Sequence, residues 1–167
     1  MRTERTRPMQ RWRGRALGAI GAIALLLVAC GGEDSSPDAA VRRTLAAIEA
    51  AARARDVSAL AEQVSEAYAD DRGNDRQAVR QIAAFHLLRN QSVHTLTRIR
   101  SVTFEGPEQA RVEALVAMAG TAIPDADVLA TVRADLYRFD VTLREEQPGT
   151  WRVLAARWWP AALDDFR

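Results

Sequence analysis

The 167-residue chain has no lysine and a single cysteine, Cys30. One cysteine excludes an intramolecular disulfide and any multi-cysteine metal site. Histidine is almost as scarce. His86 and His94 stand 8 residues apart with no acid at ligand spacing, so no metal site is legible. No phosphate loop, nucleophile elbow or zinc pattern occurs, and no cofactor is implied. Internal repeats and heptads are also missing. With arginine as the only strong base and alanine in excess, the composition reflects a GC-rich genome more than a function.

What charge there is lies unevenly. Residues 1–15 hold six arginines against one acid, Glu4. Without residues 1–29, the 23 basic and 22 acidic side chains of the whole chain become 17 and 21, a net charge of −4. The basic excess therefore belongs to the first residues, and gives no support to nucleic-acid binding.

After Arg15 come fourteen uncharged residues, Ala16 to Ala29. A membrane-spanning helix needs about 20 apolar residues. A basic start followed by a shorter apolar run fits a secretory signal, oriented with its N-terminus in the cytoplasm. The run closes on Leu27-Val28-Ala29-Cys30, which resembles the lipobox of bacterial lipoproteins. That resemblance implies cleavage before Cys30, a diacylglyceryl thioether on its sulfur, and acylation of the new N-terminus. Several acyl chains hold a protein to a bilayer firmly where one does so only marginally. The competing readings are a free cysteine after an ordinary signal, or an uncleaved anchor helix. Gly31 stands where an aspartate would retain a Gram-negative lipoprotein at the inner membrane; its presence implies the periplasmic face of the outer membrane in such a host. Residues 1–29 thus read as signal peptide and 30–38, small and acidic, as lipidated cysteine and tether. Residues 39–167 read as one folded domain.

Ser36-Pro37-Asp38 is a helix start, with a cap, a proline in the first turn and an acid beside it. Val41, Leu45, Ile48 and Ala52 continue at helical spacing to about Arg55. Asp56 can cap a short second helix carrying Val57, Leu60 and Val64. The turn Asp71-Arg72-Gly73-Asn74-Asp75 leads into a third helix, capped by Asn74 or Asp75 and running to about Asn90. Its Val79, Ile82, Ala83 and His86 share a face, with Phe85 and Leu88 alongside. Strands follow over Val93–Phe104, with a bulge where alternation falters, Ala110–Ala119, Leu129–Glu146 and Trp151–Trp159. In the second, Val112, Ala114, Val116 and Met118 share a side. In the third, Tyr137, Phe139, Val141 and Leu143 share one face, and Arg138, Asp140, Thr142 and Arg144 the other. Helices followed by an antiparallel meander give an α+β fold, its sheet helix-covered on one face and wetter on the other.

This order resembles the nuclear transport factor 2-like superfamily. The residues that carry the resemblance are Arg55-Asp56-Val57-Ser58-Ala59-Leu60, Tyr68-Ala69-Asp70-Asp71-Arg72-Gly73 and Gly149-Thr150-Trp151-Arg152-Val153, within roughly residues 39–160. It implies a cone: a curved sheet of four main strands wrapped on three N-terminal helices, with a pocket at the open end and frequent dimerisation through the sheet. The superfamily holds isomerases, dehydratases and non-catalytic binding modules, so the fold does not fix the activity. Tyr68, His86 and Asp140 are the pocket candidates. Tyr68 with Asp70, Asp135 or Asp140 has the residue types, but not a matching spacing, for acid–base chemistry of the ketosteroid isomerase kind. His86 could act as a general base in the cone, or be a hydrogen-bonded core histidine. Asp140, between Arg138 and Arg144, also reads as part of a surface charge ladder. Trp151, Trp158 and Trp159 read as core, or as an interface hot spot. The expected role is binding a small apolar or amphipathic ligand or an envelope partner. An enzyme and a sheet-mediated homodimer are the alternatives.

Overall fold

Three acidic or hydroxyl caps divide the helical half of the chain. In a computed structural model, residues 34–166 are described. Cys30, the leader and most of the tether lie outside them. Ser36 is extended, and its hydroxyl accepts the Ala39 N–H at 3.2 Å, opening α1 (Pro37–Ala54) with Pro37 in the first turn. Arg55 ends α1 in the left-handed region, φ 56°, unusual for a residue with a Cβ. Its backbone N–H closes on the Ala52 carbonyl, and its guanidinium reaches the Asn90 carbonyl. Asp56 then caps α2 (Val57–Glu62) through the Ser58 and Ala59 amides. Of the two candidates for the third cap, Asp75 is the one used, accepting from Ala78 at 2.8 Å and starting α3 (Arg76–Arg89). Asn74 instead braces the preceding turn.

The four strands β1 (His94–Phe104), β2 (Gln109–Ala119), β3 (Ala134–Gln147) and β4 (Thr150–Pro160) form an antiparallel meander in sequence order. The β1–β2 register slips between Ile99 and Ser101, leaving Arg100 as the extra residue of a bulge. Two further slips interrupt β3–β4, at Thr142/Leu143 and Glu145/Gln147. Bulges bend and twist a ladder, which curves the sheet around the helices. Gly149 turns β3 into β4 with φ 74°, a conformation its missing Cβ allows.

One core fills the space between helices and sheet. Val41 of α1 meets Val112, Val141, Leu143, Trp151 and Val153, with Val64 and Tyr68 joining from the segment after α2. That segment runs parallel to β4: Ser65 N–H donates to the Val153 carbonyl, and Ala69 N–H to that of Leu154. Across the seam the Thr44 hydroxyl donates to the Trp151 carbonyl at 3.0 Å. Buried Ser65 donates to Glu146 at 2.5 Å and accepts from Ala67, so its hydroxyl is satisfied. The described residues form one compact unit.

Two expectations change. The third strand starts at Ala134, not Leu129. Residues Asp127–Ala130 form a 3₁₀ turn, closed by Asp125 accepting from the Asp127 and Val128 amides. Leu129 is buried because that turn covers the outer face of the sheet. The outer face is accordingly not uniformly wet. Leu115, Ala117 and Ala119 point away from the helices and are buried beneath Ile123, Leu129 and Phe166. Phe166 belongs to a second 3₁₀ turn, Leu163–Phe166, and is fully buried. Only the other half of that face is polar.

Candidate functional site

The concave face is sealed at one end and open at the other. Near Phe104, the inward residues Ala110, Val112, Leu143 and Trp151 are buried almost completely. Toward the start of β1 the inward positions Thr95, Thr97, Val116, Met118, Tyr137, Phe139 and Trp158 are all partly exposed. Antiparallel pairing places Tyr137 beside Val116, and Phe139 between Ala114 and Trp158. The aromatic side chains make a continuous shelf. Phe139 and Trp158 stack at 6.3 Å with planes 23° apart, and Tyr137 meets Phe139 edge-on at 6.3 Å.

Arg72 closes the shelf. Its guanidinium carbon lies 4.5 Å from the centre of the Trp158 ring, and Nη2 donates to the Trp158 carbonyl at 3.1 Å. Its own turn holds it there. Asp70 accepts the Arg72 and Asn74 amides, the Asn74 side-chain N–H and the Tyr68 hydroxyl. Gly73, at φ 79°, lets the turn close with its N–H on the Asp70 carbonyl at 3.1 Å. Burial works against the Asp70 charge, but the donors from Asn74, Arg72 and Tyr68 outweigh it and hold the carboxyl below its usual range. Burial first, and then the Asp70 charge, pushes the Tyr68 hydroxyl far above its ordinary value. Tyr68 therefore stays protonated, with its proton committed to Asp70. Asp70 stays ionised, a weak base with nothing to donate. The pair braces a turn and does not form an oxyanion-binding couple.

The three candidate residues are not brought together. Tyr68 is buried in the core, 4% exposed, with only its hydroxyl turned to Asp70. His86 is exposed, its ring edge-on to Phe85 at 5.4 Å. The buried face of α3 is rotated from the expected one and runs through Val79, Ala83 and Leu87, so His86 falls on its margin. Asp140 faces outward from the sheet, paired with Arg157 at 2.8 Å and Arg111 at 3.6 Å. It belongs to the charge ladder of the outer face. Asp135 is likewise exposed. Of the three late tryptophans, Trp151 is core, Trp158 is shelf and Trp159 is 43% exposed on the other side. The shelf residues Phe139, Trp158 and Arg72 escape sequence reasoning as a set. The only signal was same-face spacing of Tyr137 and Phe139 within one strand.

Two open clefts lie elsewhere. One of about 380 Å³ runs between α1 and the β3–β4 turn, with Arg43, Gln63 and Arg152 among its walls. Another of about 340 Å³ opens between the two 3₁₀ turns, beside Arg98 and Phe166. Neither includes Tyr68, His86 or Asp140. Among the described residues no group of three or more His, Cys, Asp or Glu side chains could hold a metal ion.

A scan against protein-family models gives no match, and a search of the curated proteins gives none either. Solved structures do match. A proposed scytalone dehydratase from Novosphingobium aromaticivorans superposes with TM-score 0.59 at 13% identity, over 74% of this chain and 83% of that one. A proposed dehydratase of the NTF2-like family from Streptomyces avermitilis gives 0.58 at 15%, over 75% and 99%. The fold is NTF2-like. A ketosteroid isomerase-like protein from Erwinia carotovora atroseptica gives 0.55 at 12% identity, over 74% and 95%. At such identities the likeness carries the NTF2-like cone of three helices and four antiparallel strands, and no activity.

Proposed function

We propose that the domain binds a small amphipathic molecule at the open end of its NTF2-like cone. The observation that carries this reading is the half-exposed shelf of Tyr137, Phe139 and Trp158 with the Arg72 guanidinium fixed at its edge. Apolar walls with a few placed polar groups are what small-ligand sites require. The rings would take an apolar body, and Arg72 would meet a carboxylate or carbonyl at its head. Support for placement at the envelope comes from the sequence alone: the basic leader, the short apolar run and Leu27-Val28-Ala29-Cys30. In this reading Cys30 is lipidated and the domain is tethered at a membrane, on the periplasmic face of the outer membrane in a Gram-negative host.

Binding is tested by titrating residues 34–167 with long-chain carboxylates by calorimetry. Saturable binding, weakened at least about tenfold by Trp158→Ala and left intact by His86→Ala, is the expected result. No saturable binding, or binding indifferent to Trp158, rejects the reading. The anchor is tested separately. Cys30→Ser should leave an unprocessed precursor, and an unchanged mature mass and membrane fraction would reject lipidation.

An acid–base enzyme in the same cone is the second reading. Its support is the fold shared with proteins described as dehydratases and isomerase-like. The committed Tyr68 proton and the outward positions of His86 and Asp140 weigh against it.

A further inference from the structure

The outward face of α3 carries a pattern that neither the core nor the shelf uses. Phe85 and Leu88 are 60% and 62% exposed, the two most exposed of the large apolar side chains among the described residues. At about 100° per residue they straddle the middle of the solvent-facing arc, with Gln81 between them and Arg80 and Arg89 on the two flanks. The Arg80 side chain makes no hydrogen bond or ion pair with the described residues. Arg89 lies over the Phe85 ring at 5.5 Å.

Along the sequence of α3 and β1 the charge has one sign. From Arg76 to Phe104 the sequence has five arginines, both histidines and no acid. From Cys30 onward the chain is net −4, so the remainder is strongly acidic. On α3 itself Arg80 and Arg89 give the exposed face a positive charge that draws it toward an anionic surface. Two exposed apolar side chains flanked by arginines on an acid-free helix match the interfacial zone of a bilayer, with apolar groups entering below the headgroups and guanidinium groups at their level.

We infer that α3 docks the domain onto an anionic lipid surface through Phe85, Leu88, Arg80 and Arg89. A bilayer is favoured over an acidic protein because the exposed apolar pair is flanked by cations on both sides of the helix. The opposite side of α3 is fixed, which keeps the docking face presented. Leu87 is buried, Val79 packs on the core, and Arg76 holds both the Ala61 carbonyl and Glu66. This inference does not rest on lipidation of Cys30 or on a ligand at the shelf.

The test is sedimentation of residues 34–167, which lack Cys30, with vesicles. Vesicles of phosphatidylcholine mixed with phosphatidylglycerol should carry the domain down, and pure phosphatidylcholine should not. Each arginine near such a surface is worth roughly a fivefold change in partition, so Arg80→Glu with Arg89→Glu should weaken binding at least about tenfold. Phe85→Ser with Leu88→Ser should weaken it at unchanged charge. Arg133→Glu, an exposed reversal outside α3, and Trp158→Ala should leave it intact. All replaced α3 positions are exposed, and circular dichroism verifies the fold of each variant. A domain that stays in the supernatant with anionic vesicles overturns the inference and makes an acidic protein the occupant to seek. Binding that survives either α3 double variant overturns it as well.

Discussion

Arg72 touches Trp158 twice, with its guanidinium carbon 4.5 Å from the centre of the indole and with an N–H on that residue's own carbonyl at 3.1 Å. The turn between α2 and α3 is thereby fastened to the end of β4. Arg72→Ala should cost about 1 kcal/mol in urea unfolding, the scale of an exposed cation–π contact with a hydrogen bond. Arg72→Lys should recover part of the loss, because an ammonium lacks the planar fork. A change in Trp158 fluorescence should accompany both substitutions.

Asp70 gives that turn an acid sensitivity of known sign. Its folded carboxyl is held below the unfolded value of about 3.9. The associated stability is therefore present above that value and disappears as pH falls through the lower folded one. Asp70→Ala should destabilise the domain by about 1 kcal/mol at neutral pH, with a difference that narrows on strong acidification.

Tyr68 shifts the other way. With its folded hydroxyl raised above about 10, its contribution is complete below that pH and is lost as pH rises through the folded value. Tyr68→Phe should remove this alkaline component of unfolding while leaving the core packed. A variant as alkali-sensitive as the parent would contradict the assignment.

Trp151 is 2% exposed, yet its indole N–H has no hydrogen-bond partner among the described residues. Trp151→Ala should cost about 3–5 kcal/mol through the cavity it leaves. Trp151→Phe should cost far less, because it retains ring contact with Phe104 and removes an unpaired donor. Thermal unfolding of the two variants separates the packing effect from the polar one.

Phe166 fixes the second 3₁₀ turn to the outer face, assisted by Arg98 on its carbonyl and by Arg138 on Asp165 at 2.8 Å. Phe166→Ala should destabilise by about 3 kcal/mol or more. It should also bare Leu115 and Ala117 and raise binding of an apolar dye. His86→Ala, on an exposed helix position, should stay within about 0.5 kcal/mol of the parent.

Local chemistry made the helix starts readable. Ser36, Asp56 and Asp75 cap through amides two or three residues away, so no tertiary information is needed. The face of α3 was less determinate. Ile82, Ala83, Phe85, Leu87 and Leu88 spread apolar character around much of the helix, and tertiary packing buries Leu87 and leaves His86 exposed. The outer cover went unread because Ala117, Ala119 and Ala134 are small residues that do not announce a buried face. The shelf depends on Phe139 lying opposite Trp158. Two bulges and the Gly149 turn set that register, and none of these is visible in either strand alone.

The slip at Arg100 has a further effect. One side of β4 is occupied by the segment from Val64 to Ala69, whereas β1 ends the ladder order on its other flank. The outer edge of this eleven-residue strand turns the N–H and C=O groups of alternate residues away from β2, a template on which another chain could zip. A bulge breaks the even spacing of that template, and Arg98 and Arg100 set positive charge along it. The irregularity that helps to bend the cone also protects the protein against amyloid-like growth from its open flank.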